Sequence, residues 1–247
     1  MRRNLGVSGS LLYGMGNLLH PRMLWLMIWP MLVALALWGS VAFALWTRTV
    51  LWLGGLLAQW AQPAAELVHL DFTNAAFVAA NVLLFLLFVP LVYLTALFIL
   101  GVFGMQAMVE HVASRSFPAL ERRHGGGAIG SFWNGLVALL GMAGLLVVSV
   151  PLWFIPPLWP LIPLGILAWG NQRLLRYDAL AEHGTREEMV QVFRRRRGGL
   201  YLLGLLLALV AYVPIVGFAA PVIFGLAFIR YLLEALQELR ERQGRPA

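Results

Sequence analysis

The stretch MLWLMIWPMLVALALWGSVAFALWT, residues 23–47, decides the fold class, because it runs 25 residues without an ionisable side chain. A membrane-crossing helix needs about 20 predominantly apolar residues at a rise of 1.5 Å each. Residues 23–47 therefore read as a transmembrane helix. Pro30 lies near its start, and Trp25, Trp29, Trp38 and Trp46 are placed to anchor it at the bilayer interfaces. The whole chain agrees. Of 247 residues, 61% are hydrophobic and 12% charged, against about 45–50% apolar and about 25% charged in ordinary soluble domains. Even a chain of about 300 residues buries only about 75% of its unfolded surface. A soluble globular enzyme, a disordered chain and a disulfide scaffold are excluded. An all-α integral membrane protein remains.

The chain has no cysteine, so it holds no disulfide, no thiolate nucleophile and no Cys-ligated metal. All 18 basic residues are Arg, and the net charge is +7. This excess sits beside apolar spans, as the orientation rule for membrane proteins requires. It marks no basic face on a soluble unit, so no nucleic-acid partner is expected. The strong apolar run begins only at residue 23 and exceeds the about 7–15 residues of a secretory h-region, so no cleaved signal is expected.

Further along, residues 72–109 run 38 residues without charge. This is a second, long transmembrane helix that tilts or extends beyond the bilayer, with Pro90, Gly101 and Gly104 as kink points. Between the two helices, residues 51–61 read as an amphipathic interfacial segment. Residues 7–20 read likewise: Val7, Leu11, Leu12, Met15, Leu18 and Leu19 fall near helical spacing against polar Ser8, Ser10 and Asn17. Residues 151–163, PLWFIPPLWPLIP, hold five prolines and cannot be helix interior. They form the tip of a helical hairpin over residues 131–175. A second hairpin is expected over 198–236, broken at Pro214, Gly217 and Pro221. Its arms, 199–213 and 222–236, are each about 15 residues, or about 22 Å, short of the about 30 Å hydrocarbon core. This hairpin reads as re-entrant. The tail, 237–247, is polar, and the chain reads as a single membrane domain, 1–247. The two hairpins also resemble each other weakly, as a parallel repeat would.

Charge placement supports hairpins. With the N-terminus cytoplasmic, residues 48–71 lie outside and carry one Arg against Glu66 and Asp71. Residues 110–124, the seven Arg of 173–197 and the tail all belong on one side. Each intervening apolar block must then leave and re-enter on the same face.

Catalytic chemistry finds no purchase. His20, His69, His111, His124 and His183 are scattered and match no metal-binding spacing. Asp178 with Glu182, and Glu187 with Gln191, share helix faces and read as partners for Arg176, Arg186 and the run Arg194 to Arg197. Gly125-Gly-Gly127 lacks the Lys-Ser/Thr of a phosphate loop and reads as a flexible connector. The Arg run itself reads as an anchor for anionic lipid or an attraction zone for an anionic solute. Helix N-termini expected near Pro163 and Pro221, at membrane depth, favour an anion pathway over a cation one.

The order and spacing of several segments resemble the CysZ-type sulfate permease family, within the wider etoposide-induced-protein-like membrane family. They are Gly9-Ser-Leu-Leu-Tyr13, Leu18-Leu-His-Pro21 with Pro30 following, Met108-Val-Glu110 and Leu120-Glu-Arg122. Tyr177-Asp178, Gly184, Arg194 to Arg197, Gly199, Val213-Pro214, Ala220-Pro221 and Gly225 complete the likeness over nearly the whole chain. The resemblance implies two long helices plus partly penetrating hairpins, and sulfate uptake across a bacterial inner membrane feeding cysteine biosynthesis. The family's usual Pro-Gly-Leu/Ile-Arg-Arg, whose Arg is implicated in sulfate binding, is here Pro21-Arg22-Met23-Leu24-Trp25. Leu24 and Trp25 occupy the Arg positions and Arg22 sits two residues early, about 200° around a helix. Arg22 is either a lipid anchor at the helix entry or the replacement for the displaced Arg.

The combined reading is a multi-pass inner-membrane anion transporter or channel, with no enzyme activity and no cofactor. The alternative is a non-transporting structural or assembly protein of the same family. Expected partners are sulfate or a similar small oxyanion, the lipid bilayer and further copies of the chain. The residues expected to bind the anion are Arg22, Arg173 and Arg176, and no metal site is expected.

Overall fold

The computed structural model describes residues 6–68 and 72–244. Arg2, Arg3, His69, Asp71 and Arg245 lie outside the described residues. Eight helices follow in chain order: α1 (Gly6–Asn17), α2 (Pro21–Val68), α3 (Thr73–Ser116), α4 (Ala128–Val148), α5 (Leu161–Leu180), α6 (Arg186–Arg195), α7 (Arg197–Ala211) and α8 (Pro214–Arg242). Two short 3₁₀ turns, Val150–Phe154 and Pro156–Leu158, form the Pro-rich tip between α4 and α5. No strand occurs among the described residues. The chain is an all-α membrane protein. Among the described residues, four segments are long and apolar enough to cross a bilayer: Pro21–Pro63, Thr73–Ser116, Ile129–Val148 and Val216–Arg242.

The chain divides into two compact units, one of residues 25–102 and one of residues 1–24 with 103–247. The first holds most of α2 and α3. Trp38 donates its indole N–H to Thr95 Oγ1 at 2.9 Å, and Trp46 donates to Asn81 Oδ1 at 3.1 Å. Gly54 lies under the ring of Phe77, where a Cβ would sit 2.2 Å from a ring carbon. Partners that descend along α3 as they ascend along α2 make the pair antiparallel. Elsewhere the pair shows large apolar side chains: Phe43 is 95% exposed and Phe98 is 73% exposed. Apolar surface of this extent suits hydrocarbon rather than water.

The structure changes one boundary here. The first helix does not stop at residue 47 before a separate interfacial segment, but continues through Arg48 to Val68, 48 residues in all. Arg48 is a good helix former. The Gly54-Gly55 pair that weakens the helix, at roughly 1 kcal/mol each, is where α2 accommodates Phe77.

The second unit is built around α8. Val222 to Ile229 are all buried, as are Leu232, Leu233 and Leu236. Helix α1 packs on it at Gly14, whose added Cβ would meet the Ile223 carbonyl at 2.8 Å. Helices α5 and α7 approach as closely at Gly204, where a Cβ would lie 2.5 Å from the Ala168 carbonyl. Small residues at crossings are how helices associate where burial from lipid brings no hydrophobic gain. The same logic reorients α1. Its buried face is Gly9, Ser10 and Gly14, while Leu12 and Leu19 are exposed. Ser10 does not join a solvated face; its hydroxyl donates to the Gly6 carbonyl at 2.9 Å.

Both hairpins form, the second with unequal arms. Helices α4 and α5 have 21 and 20 residues. Helix α7 has 15 residues but α8 has 29, about 44 Å at the usual rise, so the short-arm argument fails for α8. It also continues to Arg242, through most of the segment assigned to a polar tail. No helix begins at Pro221, which lies inside α8; the turn is confined to Tyr212 and Val213. An interior proline costs about 3 kcal/mol. A break would orphan several peptide groups at several kcal/mol each in hydrocarbon, so the helix carries the proline. Its ring meets residue i−4, which is Gly217.

Candidate anion-binding site

Pro21 opens α2 as its first helical residue, where a missing N–H costs nothing. The carbonyl of His20 accepts from the N–H of Met23 at 2.8 Å and of Leu24 at 3.0 Å. This capping holds the His20 imidazole beside the last turns of α3, where His111 and Arg115 share a face four residues apart. The two imidazoles tilt together with centroids 4.7 Å apart. His111 Nε2 lies 3.4 Å from Asn17 Oδ1 at the end of α1.

The hydrogen bonding around His20 does not balance. Arg115 Nη2 donates towards His20 Nε2 at 2.8 Å, and the Arg22 backbone N–H points at Nδ1 at 3.3 Å. A neutral imidazole has one acceptor nitrogen, and an imidazolium has none. In every protonation state at least one N–H is aimed at another donor. Burial, then the charges of Arg115 and Arg22, hold the His20 imidazole below its ordinary pKa. The neutral ring serves Arg115 and leaves the Arg22 N–H unmatched.

Among the described residues no carboxylate corrects this excess. Arg122 pairs with Glu110 and, at 2.9 Å, with Glu182. Arg123 pairs with Glu121 at 2.8 Å and Glu188 at 3.1 Å, while Arg240 pairs with Glu188 at 3.0 Å. Glu238 takes Arg196 and Arg242. Among the described residues, no ion pair reaches Arg22, Arg115, Arg173, Arg176 or Arg197.

A second basic group lies on α5. The Arg176 guanidinium sits 4.9 Å above the Phe193 ring, with Nη1 donating to Gln172 Oε1 at 3.3 Å. The charges of Arg173 and Arg197 oppose its own. Arg173 Nε is buried without a hydrogen-bond partner. Asn134 of α4 spends its amide on the Arg173 and Leu174 carbonyls, at 3.0 and 3.3 Å. The sequence-predicted residues therefore fall in two places, Arg22 beside His20 and Arg173 with Arg176 on α5. No described interaction joins the two groups.

The acidic residues do not find the partners their spacing suggested. Asp178 accepts from the Ser131 hydroxyl, Glu182 meets Arg122, and Glu187 accepts from the Thr185 hydroxyl at 3.2 Å. The cause is the segment before α4. Backbone N–H groups of His124, Gly125 and Gly126 donate to the carbonyls of Glu182, Gly184 and Ala181 at 2.9–3.0 Å. Gly125 is thus no free connector; a Cβ there would meet the Gly184 carbonyl at 2.3 Å. This docking carries Arg122 and Arg123 onto the α5–α6 turn.

The Arg-rich loop between α5 and α7 also contains a helix. Thr185 caps α6: its Oγ1 accepts from the Glu188 N–H at 3.2 Å, and Glu188 Oε2 accepts from the Thr185 N–H at 2.9 Å. Threonine followed three residues later by glutamate is a capping-box signature legible in the sequence. The sequence reading does not bring His20, His111 and Arg115 together with Arg22. The spacing of His111 and Arg115 put them on one helix face; their meeting with His20 depends on how α3 returns.

The family described as Sulfate transporter CysZ/Etoposide-induced protein 2.4 matches residues 10–221. No curated protein matches the chain, and no solved structure matches it.

Proposed function

The chain belongs to the family of the sulfate transporter CysZ and etoposide-induced protein 2.4, and from that premise we propose that it passes sulfate, or a similar small tetrahedral oxyanion, across a bacterial inner membrane to feed cysteine biosynthesis. The observation that carries the reading is the donor excess around His20: Arg115 and the Arg22 N–H are aimed at the two ring nitrogens, only one of which has a lone pair to accept with. A tetrahedral oxyanion offers acceptor oxygens in several directions and relieves that conflict. Guanidinium groups suit it because they donate two parallel bonds. In this reading Arg22, in the first turn of α2 and about 200° around the helix from the family's Arg position, contributes its charge beside His20 rather than the displaced side chain's own position. Arg173 and Arg176 form a second stop for the anion, and the buried, unpartnered Nε of Arg173 is the donor it would meet there.

Calorimetric titration of the purified protein with sulfate tests the binding step. Saturable heat, weakened roughly ten- to a hundred-fold in Arg115→Gln, is expected for loss of one charge-assisted contact. Absence of saturable binding by the wild type would leave the non-transporting reading in its place.

A further inference from the structure

Helices α6 and α8 enclose a cleft of about 470 Å³ lined by Val192, Arg195, Arg196, Glu238, Leu239 and Arg242. Ligand sites commonly run from about 300 to 1,000 Å³. We propose that this cleft holds the phosphate of an anionic phospholipid headgroup.

Three guanidinium groups face one carboxylate in the lining. Glu238 is already shared: Arg196 donates to it and Arg242 lies 4.0 Å away. Arg195 enters no ion pair among the described residues. Arg196 is held in place, its guanidinium also 6.0 Å from the centroid of the Tyr231 ring. A second cavity, of about 270 Å³, adjoins the first and shares Arg196, Glu238 and Arg242. The fixed pair thus forms a wall between two hollows, with Arg195 and Arg242 left to bind.

The apolar face of α6 favours a lipid over a free anion. Val192 and Leu239, 2% and 3% exposed, close the base of the cleft. On the outer side of the same helix Val190 is 57% exposed. Helix α6 therefore shows apolar and cationic groups together, the composition of a segment at the headgroup boundary. Basic pockets beside membrane helices recognise anionic headgroups in this way. The residues of the His20 and α5 groups take no part, so the inference stands apart from the sulfate reading.

Short-chain phosphatidylglycerol, short-chain phosphatidylcholine and inorganic phosphate are titrated separately into the full-length protein in neutral detergent, with binding read by native mass spectrometry. Phosphatidylglycerol should bind saturably and phosphatidylcholine should not. Arg195→Gln with Arg242→Gln should weaken phosphatidylglycerol at least about tenfold, the scale of one lost charge-assisted contact. Both side chains are exposed, and Arg195→Glu alone provides a second variant with the same expected direction. Sulfate binding should stay unchanged in either. Equal phosphatidylglycerol affinity in wild type and variants would overturn the proposal. So would equal binding of phosphatidylcholine, and inorganic phosphate binding as tightly as phosphatidylglycerol would make the cleft a free-anion site instead.

Discussion

Replacing Glu188 by Gln should destabilise the protein more than any other isosteric change in the charged network. The carboxylate is 1% exposed and receives four hydrogen bonds. Arg240 Nε donates to Oε1 and Arg240 Nη2 to Oε2, each at 3.0 Å, Arg123 Nη1 to Oε1 at 3.1 Å, and the Thr185 N–H to Oε2 at 2.9 Å. Burial pushes the Glu188 carboxyl up, but the bonds from Arg240 and Thr185 and the charges of Arg240 and Arg123 more than reverse this and hold it below its ordinary value. Glutamine keeps one acceptor oxygen and turns an amide donor towards guanidinium donors. Arg240, fully buried, loses its counter-charge and is left with one neutral amide oxygen beside the carbonyls of Glu121 and His183, at 3.0 and 2.7 Å. Removing one partner of a buried pair costs about 3–5 kcal/mol. Replacing both by apolar groups of similar size is commonly neutral or better. The expected order is therefore that Glu188→Gln loses about 3–5 kcal/mol and Glu188→Met with Arg240→Met recovers most of it. Equilibrium unfolding in mixed micelles of neutral detergent and dodecyl sulfate reads both, with the single Arg240→Met completing a double-mutant cycle. A Glu188→Gln loss within about 0.5 kcal/mol of zero, the range of ordinary surface substitutions, would refute this account of the network.

Sulfate affinity should rise as pH falls through the His20 titration. Burial, then the charges of Arg115 and Arg22, hold the imidazole below its ordinary pKa; a bound anion offsets those charges, so binding takes up a proton; titrations at pH 5 to 8 should show it, and His20→Asn should flatten the profile. Without sulfate the sign reverses for stability. The unfolded chain protonates His20 first as pH drops below about 6.5, so stability falls with pH in that window, and unfolding that is flat there would contradict the lowered pKa. Arg22→Lys should weaken sulfate binding roughly ten-fold while membrane insertion stays intact, because an ammonium does not make the bidentate contact; equal affinities would make Arg22 a lipid anchor.

The two long helices were legible because charge-free runs of this length admit one structure in a bilayer. Their ends were not. Arg48 reads as a terminus by charge, yet it is a good helix former, and the helix ends only at Val68. Pro221 reads as a break by the rule for soluble helices, and the bilayer's penalty on open backbone overrides that rule. The capping box at Thr185 and Glu188 was readable and was passed over because the surrounding arginines suggested a loop. The site was legible by halves. Arg22 stands out as a charge at a helix entry, but Arg115 joins it only through the return of α3, about 90 residues later. Pairings such as Glu182 with Arg122 are likewise tertiary, fixed by the backbone docking of residues 124–126 on the α5–α6 turn.

Sulfate transport is measured directly as radiolabelled sulfate uptake into liposomes reconstituted with the purified protein, alongside protein-free liposomes and Arg115→Gln. Uptake should scale with the amount of wild-type protein and fall roughly ten-fold or more in the variant at subsaturating sulfate. Uptake equal to that of protein-free liposomes would rule out sulfate transport by this chain.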